Sequence, residues 1–366
     1  MSGGDVPVAD GRGNFDPRTR ITTMADDIAI VGAGAAGAGA AYALADADAT
    51  VTVFEKSRGV CGRAATRRRD DCRYDHGANY LKSDDQRVSK VVTEELDPEG
   101  LVDIEEPVWV FDADGDISEG RDADDHKWTY EAGITQLAKR LFGATDATVE
   151  NGVRVSEPVR ENEGWRLYDT DHEDLGHFDA VLLTPPAPQT ADLLGCANWE
   201  HKLCRQLREA VAVVPYRTIV TAVLHYPFEL ERPYYALVNT DDGHDVGWVS
   251  REECKDGHVP DGESLLIVQM SPDWSVDHYD ADDETVMTAA ADQAAELLDD
   301  ERLADPDWTD TQHWRYALAD DGVDEGVVDR AADHGLYLAG DWVAGEARVH
   351  AALRSGLETG QRIADR

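Results

Sequence analysis

Residues Ile28-Ala29-Ile30-Val31 form an apolar run that stops at Gly32, and an alanine-rich stretch follows as far as Ala45. This pattern predicts a buried parallel strand, a tight turn and the opening of a helix. A second β-rich run, Thr50–Phe54, ends at Glu55. Farther along, Ser83–Leu96 reads as a partly amphipathic helix, and Val108–Phe111 as a strand with a hairpin turn at Asp112–Gly115. Trp128–Gly133 leads into a helix with Ile134, Leu137, Ala138 and Leu141 on one face. Val153–Val155 is a short strand. Phe178–Leu183 is a buried strand halted by Pro185 and Pro186. A helix over Trp199–Ala210 follows. Tyr216–Tyr226 alternates, with Ile219, Thr221, Val223 and His225 on one face. Strands at Tyr234–Val238, Val246–Val249 and Leu265–Met270 complete an antiparallel sheet, covered by an acidic helix at Glu284–Leu298. The chain closes with an aromatic strand at Gln312–Ala317, an apolar strand at Gly335–Ala339 ending in Gly340-Asp341, and a helix over Arg348–Ala364.

The first strand and turn carry candidate chemistry. Gly32, Gly34 and Gly37 stand in a GxGxxG register with Ala33 and Ala36 between them. Gly32 lets the chain turn, Gly34 lets backbone N–H groups approach a pyrophosphate, and Gly37 lets the helix pack against the strand. The phosphates would sit at the helix N-terminus, where unpaired N–H groups and the dipole favour negative charge. Glu55 falls about 20 residues on, where a carboxylate accepts from a ribose 2′-OH and repels a 2′-phosphate. The bland alternative is an ordinary βαβ unit without a nucleotide. Lys56, Arg58, Gly62 and Arg63 then form a basic, glycine-containing loop that reads as a wrap around a dinucleotide or as a solvated basic turn.

Charge changes the picture of the surface. The 366 residues include 75 acidic against 34 basic side chains, for a net charge of −41. The acids are spread through segments that also carry core patterning, so the expectation is a surface adapted to high salt, where self-repulsion is screened. A face this acidic argues against nucleic-acid binding. No apolar stretch approaches the roughly 18 residues of a membrane span. Residues 1–25 lack a secretory h-region and are expected to be a disordered extension, with Met24 as a candidate natural start. Five cysteines, odd in number and without a CxxC pair, fit a reducing cytoplasm rather than a disulfide framework, and their scatter suggests no zinc site or other metal.

Taken together, Gly32–Gly37, Glu55, Gly62-Arg63 and Tyr74-Asp75-His76-Gly77-Ala78-Asn79-Tyr80 resemble the FAD-dependent amine-oxidase superfamily, and most closely its renalase-like oxidoreductases. The likeness covers the chain from about Asp26 onward. Three positions depart from the renalase-like pattern near these motifs: Cys61 replaces a glycine, Ala64 a methionine and Asn79 a glutamine. His350 stands in Arg348-Val349-His350-Ala351-Ala352, where the relatives show a glutamate. The resemblance implies that Gly77, Ala78 and Asn79 line the flavin and that Val155 contacts the adenine through its backbone. A plain hairpin strand remains the other reading of Val155. It further implies that Gly340 and Asp341 hold ribityl or pyrophosphate oxygens, and that Val349 and His350 open a helix aimed at the flavin's pyrimidine edge. Trp314 and Tyr316 match an aromatic stretch of the same family and face either the flavin or a core.

The resulting expectation is an α/β chain with a Rossmann-type, amine-oxidase-like FAD-binding domain (26–80 with 145–195 and 325–366). Inserted into it is an α+β substrate domain on an antiparallel sheet (81–144 with 196–324). The implied cofactor is noncovalent FAD, since no cysteine follows Cys254. The implied partners are a small-molecule electron donor, such as NAD(P)H or its isomers, and oxygen or another acceptor. A flavin amine oxidase, an NAD-linked dehydrogenase and a non-catalytic dinucleotide-binding protein are the alternatives. No catalytic triad is readable, because the flavin supplies the hard chemistry.

Overall fold

A computed structural model describes Met1 and residues 26–120 and 125–366. The expected 1–25 extension therefore lies almost wholly outside the described residues. Five parallel strands form one sheet in the order Thr148–Asn151, Ala49–Glu55, Asp26–Val31, Ala180–Leu183, Leu336–Leu338. Ala180–Leu183 is buried throughout, which is why it reads as a continuous apolar run rather than an alternating one. The helices Ala35–Ala43 and Val349–Ala364 pack on each other beside this sheet. Their approach is set by small residues: a Cβ on Gly356 would fall 2.0 Å from the Ala36 carbonyl oxygen, and one on Gly360 2.6 Å from that of Ala40.

The second large layer has seven strands, in the order Trp308–Ala319, Tyr216–Tyr226, Ser264–Met270, Val246–Arg251, Ala236–Asn239, Val108–Phe111, Ile117–Ser118. It is antiparallel except where Ala236–Asn239 pairs parallel to Val108–Phe111. Tyr216–Tyr226 has the expected bounds, but both of its faces are buried. Val220, Ala222 and Leu224 face a core closed by the helix Asp283–Leu297, while Val223 packs with Tyr74, Leu265 and Ile267. The polar Thr221 and His225 are thus buried rather than solvated.

Three elements differ locally from expectation. The Ser83–Leu96 helix begins only at Gln86, where Asp85 accepts from Val88 N at 2.9 Å, and its last turn widens to a π-helix closed by Leu96 N donating to Val91 O. The Trp199–Ala210 helix becomes Lys202–Ala212, capped by His201 Nδ1 accepting from Leu203 N. Val153 and Arg154 only approach the strand, which runs Val155–Arg160.

One cluster ties these layers together and gave no signal in the sequence. Asp75, Glu252, Lys255 and His258 are all buried. Lys255 Nζ lies 3.1 Å from Asp75 Oδ2 and 2.6 Å from Glu252 Oε1. Glu252 Oε2 meets His258 Nδ1 at 2.9 Å and accepts from Asp75 N at 3.1 Å. Asp75 also accepts from Thr66 Oγ1, Thr129 Oγ1 and Ile134 N. Burial works against both charges of the pair. The neighbouring charges outweigh it, holding the Asp75 carboxyl below its usual range and the Lys255 ammonium above its own.

Two measurements follow from this packing. Gly356→Ala should overpack the helix contact and cost about 1–3 kcal/mol in chemical denaturation. Lys255→Met should leave two carboxylates without their cation and cost about 3–5 kcal/mol. Because the folded Asp75 carboxyl titrates below 3.8, its contribution is present at neutral pH and is lost as the pH falls below that value. The acid limb of wild-type stability should therefore be steep there, and shallower in the Lys255→Met protein.

Candidate flavin site

At the C-terminal ends of the parallel strands, the glycine turn adopts the geometry its residues allow. Gly32 has φ +106°, and a Cβ there would meet Thr184 Oγ1 at 2.5 Å. A Cβ on Gly37 would fall 2.0 Å from the Gly32 carbonyl oxygen. Around Gly34, by contrast, a Cβ would meet nothing within 4 Å and would project into open space. Gly34 caps the helix Ala35–Ala43 without a side-chain bond, and the first turn carries no acid. The helix Val349–Ala364 likewise starts at Arg348 with no side-chain cap and no acid in its first turn. Two helix N-termini with free donors thus open on the same cavity.

That cavity measures about 2020 Å³. Its walls include Gly32, Gly34, Ala36, Glu55, Lys56, Gly62, Arg63, Gly77, Ala78, Asn79, Val155, Gly340, Asp341, Val349 and His350. Trp314 and Tyr316 also reach it. Three anticipated residues do not. Ala33 is fully buried behind the turn, and its N–H donates to Glu55 Oε2 at 2.8 Å. Gly37 serves helix–strand packing only. Arg58 is exposed, and Gly62 and Arg63 are the members of its loop that line the cavity together with Lys56, Ser57 and Cys61.

Glu55 is buried, and its carboxylate already accepts from Ala33 N and from Ser57 N at 2.7 Å. It therefore braces the glycine turn, with lone pairs left for a ligand hydroxyl. Asp341 accepts both Arg63 guanidinium bonds, at 2.7 and 2.9 Å, and Arg63 also donates to Ala317 O. Burial disfavours the Arg63 charge, but Asp341 more than offsets it. The aspartate thus acts first by fixing Arg63, a bidentate arrangement suited to a buried pair.

The turn after Asp75 is held from both layers. Asn79 Nδ2 donates to Gly77 O at 2.8 Å, while its Oδ1 accepts from Trp248 Nε1 and Ser250 Oγ. Gln269 Nε2 donates to Gly77 O, and Trp314 Nε1 donates to His76 O. The Trp314 ring stacks on His76 at 5.4 Å, and burial pushes the His76 imidazole down to about 4. His350 is buried beside Glu346 at 3.2 Å, and burial pushes its imidazole down as well. Cys61 takes φ +80°, the conformation that favours the glycine usual there, and turns its thiol into the core, where burial raises it to about 12. Sequence reasoning missed Trp248, Gln269 and Ser250, whose partners lie about 170 residues away or more.

These residues fit a flavin dinucleotide. The open face of Gly34, two acid-free helix N-termini and the buried Glu55 carboxylate converge on one cavity. Its volume exceeds the roughly 300–1,000 Å³ of a single small-molecule site.

Residues 30–95 match an NAD(P)-binding Rossmann-like domain, and residues 108–364 match the flavin containing amine oxidoreductases. Solved structures with the same fold include a candidate protoporphyrinogen oxidase from Exiguobacterium sp. 255-15 (TM-score 0.74, 14% identity, covering 93% of this chain and 98% of that one). Putrescine oxidase bound to putrescine (TM-score 0.71, 14%, 93% and 99%) and cyclohexylamine oxidase from Brevibacterium oxydans IH-35A (0.69, 15%, 93% and 99%) are similar in the same way. With the family match spanning most of its length, the chain belongs to the flavin-containing amine oxidoreductases and is an oxidoreductase that uses a flavin.

Proposed function

We propose that the protein is a renalase-like oxidase that binds FAD noncovalently and takes hydride from a reduced nicotinamide species. The carrying observation is the convergence of Gly34, Glu55, Arg63 and the two uncapped helix N-termini on a cavity with room for a second ligand. The flavin, when bound, accepts two electrons and passes them to oxygen or another acceptor. The chain's own residues bind, orient and exclude water. The N-terminus of Ala35–Ala43 and Arg63 would hold the pyrophosphate, Glu55 the ribose, and the N-terminus of Val349–Ala364 would favour the negative charge that a reduced flavin carries. Burial holds the His350 imidazole of that helix's first turn toward its neutral form, so the fixed cation at that opening is Arg348.

The donor end favours an anionic, aromatic ligand over an ammonium. Trp109, Trp248 and Tyr279 offer stacking surface there. Arg315 lies 5.0 Å from the Tyr279 ring centroid and has no carboxylate partner within 4.0 Å among the described residues. The acids at this end, Glu105, Glu119, Asp125 and Asp242, are all exposed on the rim. The same rim acids give the amine-oxidase alternative its support, since they would draw cations toward the mouth. Noncovalent attachment is supported by the two thiols on the wall. Cys61 is inert at its raised pKa, and Cys196 is exposed at the end of the helix Ala187–Cys196. We also take 26–80 with 145–195 and 325–366 as the cofactor-binding unit, the remainder as the donor-binding unit, and the acidic surface as an adaptation to salt in a cytoplasm. No helix is long and apolar enough to cross a membrane among the described residues.

Three outcomes are expected. In anaerobic absorbance scans, NADH or an aged NADPH mixture containing isomers should bleach the flavin band, air should restore it, and acid precipitation should release the flavin. Bleaching by simple amines alone would move the assignment to amine oxidation, and a protein that stays oxidised with every one of these donors would remove the reduced-nicotinamide substrate class. Arg63→Met should weaken FAD binding by roughly 30-fold, about 2 kcal/mol, measured by flavin release on dilution. Raising KCl from dilute buffer to multimolar should increase the melting temperature by several degrees, as screening shortens to about 3 Å at 1 M.

A further inference from the structure

The folded chain brings together side chains that the spacing of cysteines did not connect. Cys72 lies in the strand Cys72–Asp75, His225 in Tyr216–Tyr226, and Glu263 just ahead of Ser264–Met270. One ligand atom from each, a thiol sulfur, an imidazole nitrogen and a carboxylate oxygen, lies within 4.8 Å of the other two. We propose that Cys72, His225 and Glu263 bind one divalent transition-metal ion of the zinc class, clipping the Thr66–Asp75 hairpin to the seven-stranded sheet.

The donor set argues for that class. Thiolate with imidazole selects zinc and its neighbours, whereas magnesium and calcium take oxygen shells. In a tetrahedral site, Zn–S near 2.3 Å and Zn–N near 2.0–2.1 Å set ligand atoms about 3.4–3.6 Å apart. His225 Nε2 and Glu263 Oε2 are 2.9 Å apart, so they need open by only about half an ångström.

The imidazole itself supplies an independent observation. Its side chain is 5% exposed, and Nδ1 has no hydrogen-bond partner. Nδ1 instead faces Asp307 Oδ2 at 3.6 Å. If Nε2 carried the proton toward Glu263, a bare Nδ1 lone pair would face a carboxylate. A metal on Nε2 places the proton on Nδ1, where it donates to Asp307, the carboxylate–histidine–metal arrangement that orients a ligating ring. Trp308 holds the ring flat, stacked at 4.8 Å with an interplanar angle of 6°.

The surroundings suit a cation. Glu263 lines a second cavity of about 560 Å³ whose wall also carries Glu106, Glu229, Glu231, Glu253 and Asp261 against Arg232 and Arg251, a net excess of acid. This acidic mouth gives an approach route and raises local cation concentration. None of the three ligands lines the flavin cavity. On binding, the Cys72 sulfur–hydrogen bond breaks, its proton leaves to solvent, and the sulfur pair bonds the metal, with no change of oxidation state. Two other clusters do not compete. Asp75, Glu252 and His258 already enclose the Lys255 ammonium, and Asp84, Glu346 and His350 offer no sulfur.

The test uses the flavin-loaded full chain after dialysis against a chelator. Titration with zinc should give one site per chain and raise the melting temperature. Titration with cobalt should give a near-ultraviolet thiolate charge-transfer band. Cys72→Ser and His225→Gln should abolish the band and the thermal shift, while flavin content reports that the variants fold. Should either fail to fold, Glu263→Gln, at a side chain 37% exposed, and Asp307→Asn supply the readout, each weakening zinc binding by about 10–100-fold. Cys254→Ser, near the same acidic cavity, should leave the band intact. The proposal fails if no stoichiometric site is found, if cobalt binds without a thiolate band, if the band survives Cys72→Ser, or if it is lost in Cys254→Ser.

Discussion

A lysine ammonium sealed from water stands where the layers of this protein meet, and much else follows from keeping it charged. Stripping an ammonium of water costs several kcal/mol unless anions take water's place. Lys255 therefore needs Asp75 on one side and Glu252 on the other, and both are at hand. Asp75 ends the hairpin that begins at Thr66, and Glu252 follows the strand Val246–Arg251, so the ammonium fixes one against the other. Gly77 to Asn79 start two residues beyond Asp75 and form part of the flavin wall. The shape of that wall is thus set from beneath by an electrostatic joint that touches neither cofactor nor donor.

The same logic of charge held in place recurs above the joint. Arg63 would be costly in its half-buried position without Asp341, and Asp341 would be costly without Arg63. Together they present guanidinium edges to the cavity in a fixed orientation while the chain as a whole repels anions. Glu55 works in reverse: two backbone N–H groups hold its carboxylate still, and those bonds also pin the glycine turn. Glu55, Arg63 and Asp341 are therefore structural braces as well as cavity groups.

What could be read from the chain divides by the range of the interaction. The glycine turn, Glu55 and Gly340-Asp341 were legible because the chemistry resides in short windows whose period and punctuation are local. Asp26–Val31, Ala180–Leu183 and Leu336–Leu338 were legible from their apolar runs, whereas the edge strand Thr148–Asn151, polar at three of its four positions, was not. The brace on Asn79 from Trp248 and Ser250, the grip of Gln269 on Gly77, and the Lys255 cluster join residues far apart in sequence, and no spacing rule reaches across such a gap. Arg58 shows the opposite failure. The basic loop offered Arg63 or Arg58 as the residue nearest a dinucleotide, and the turn at Cys61 and Gly62 brings Arg63 to the cavity and leaves Arg58 exposed. His225 was placed on the correct face of its strand, yet its partners come from three other segments.

The two helix openings carry a further lesson about a surface saturated with carboxylates. In a chain with 75 acids among 366 residues, an acid is expected about once every five positions, yet none falls between Ile28 and Ala45, between Lys56 and Arg69, or between Ala347 and Leu357. Those three intervals contribute Gly34, Arg63 and Val349 to the cavity wall, whereas the longest acid-free run, 210–228, is mostly the buried strand Tyr216–Tyr226. A strongly biased composition thus acts as a photographic ground: pressure toward acidity writes over the tolerant positions, and the places it leaves blank are the buried strands and the walls of the cavity together.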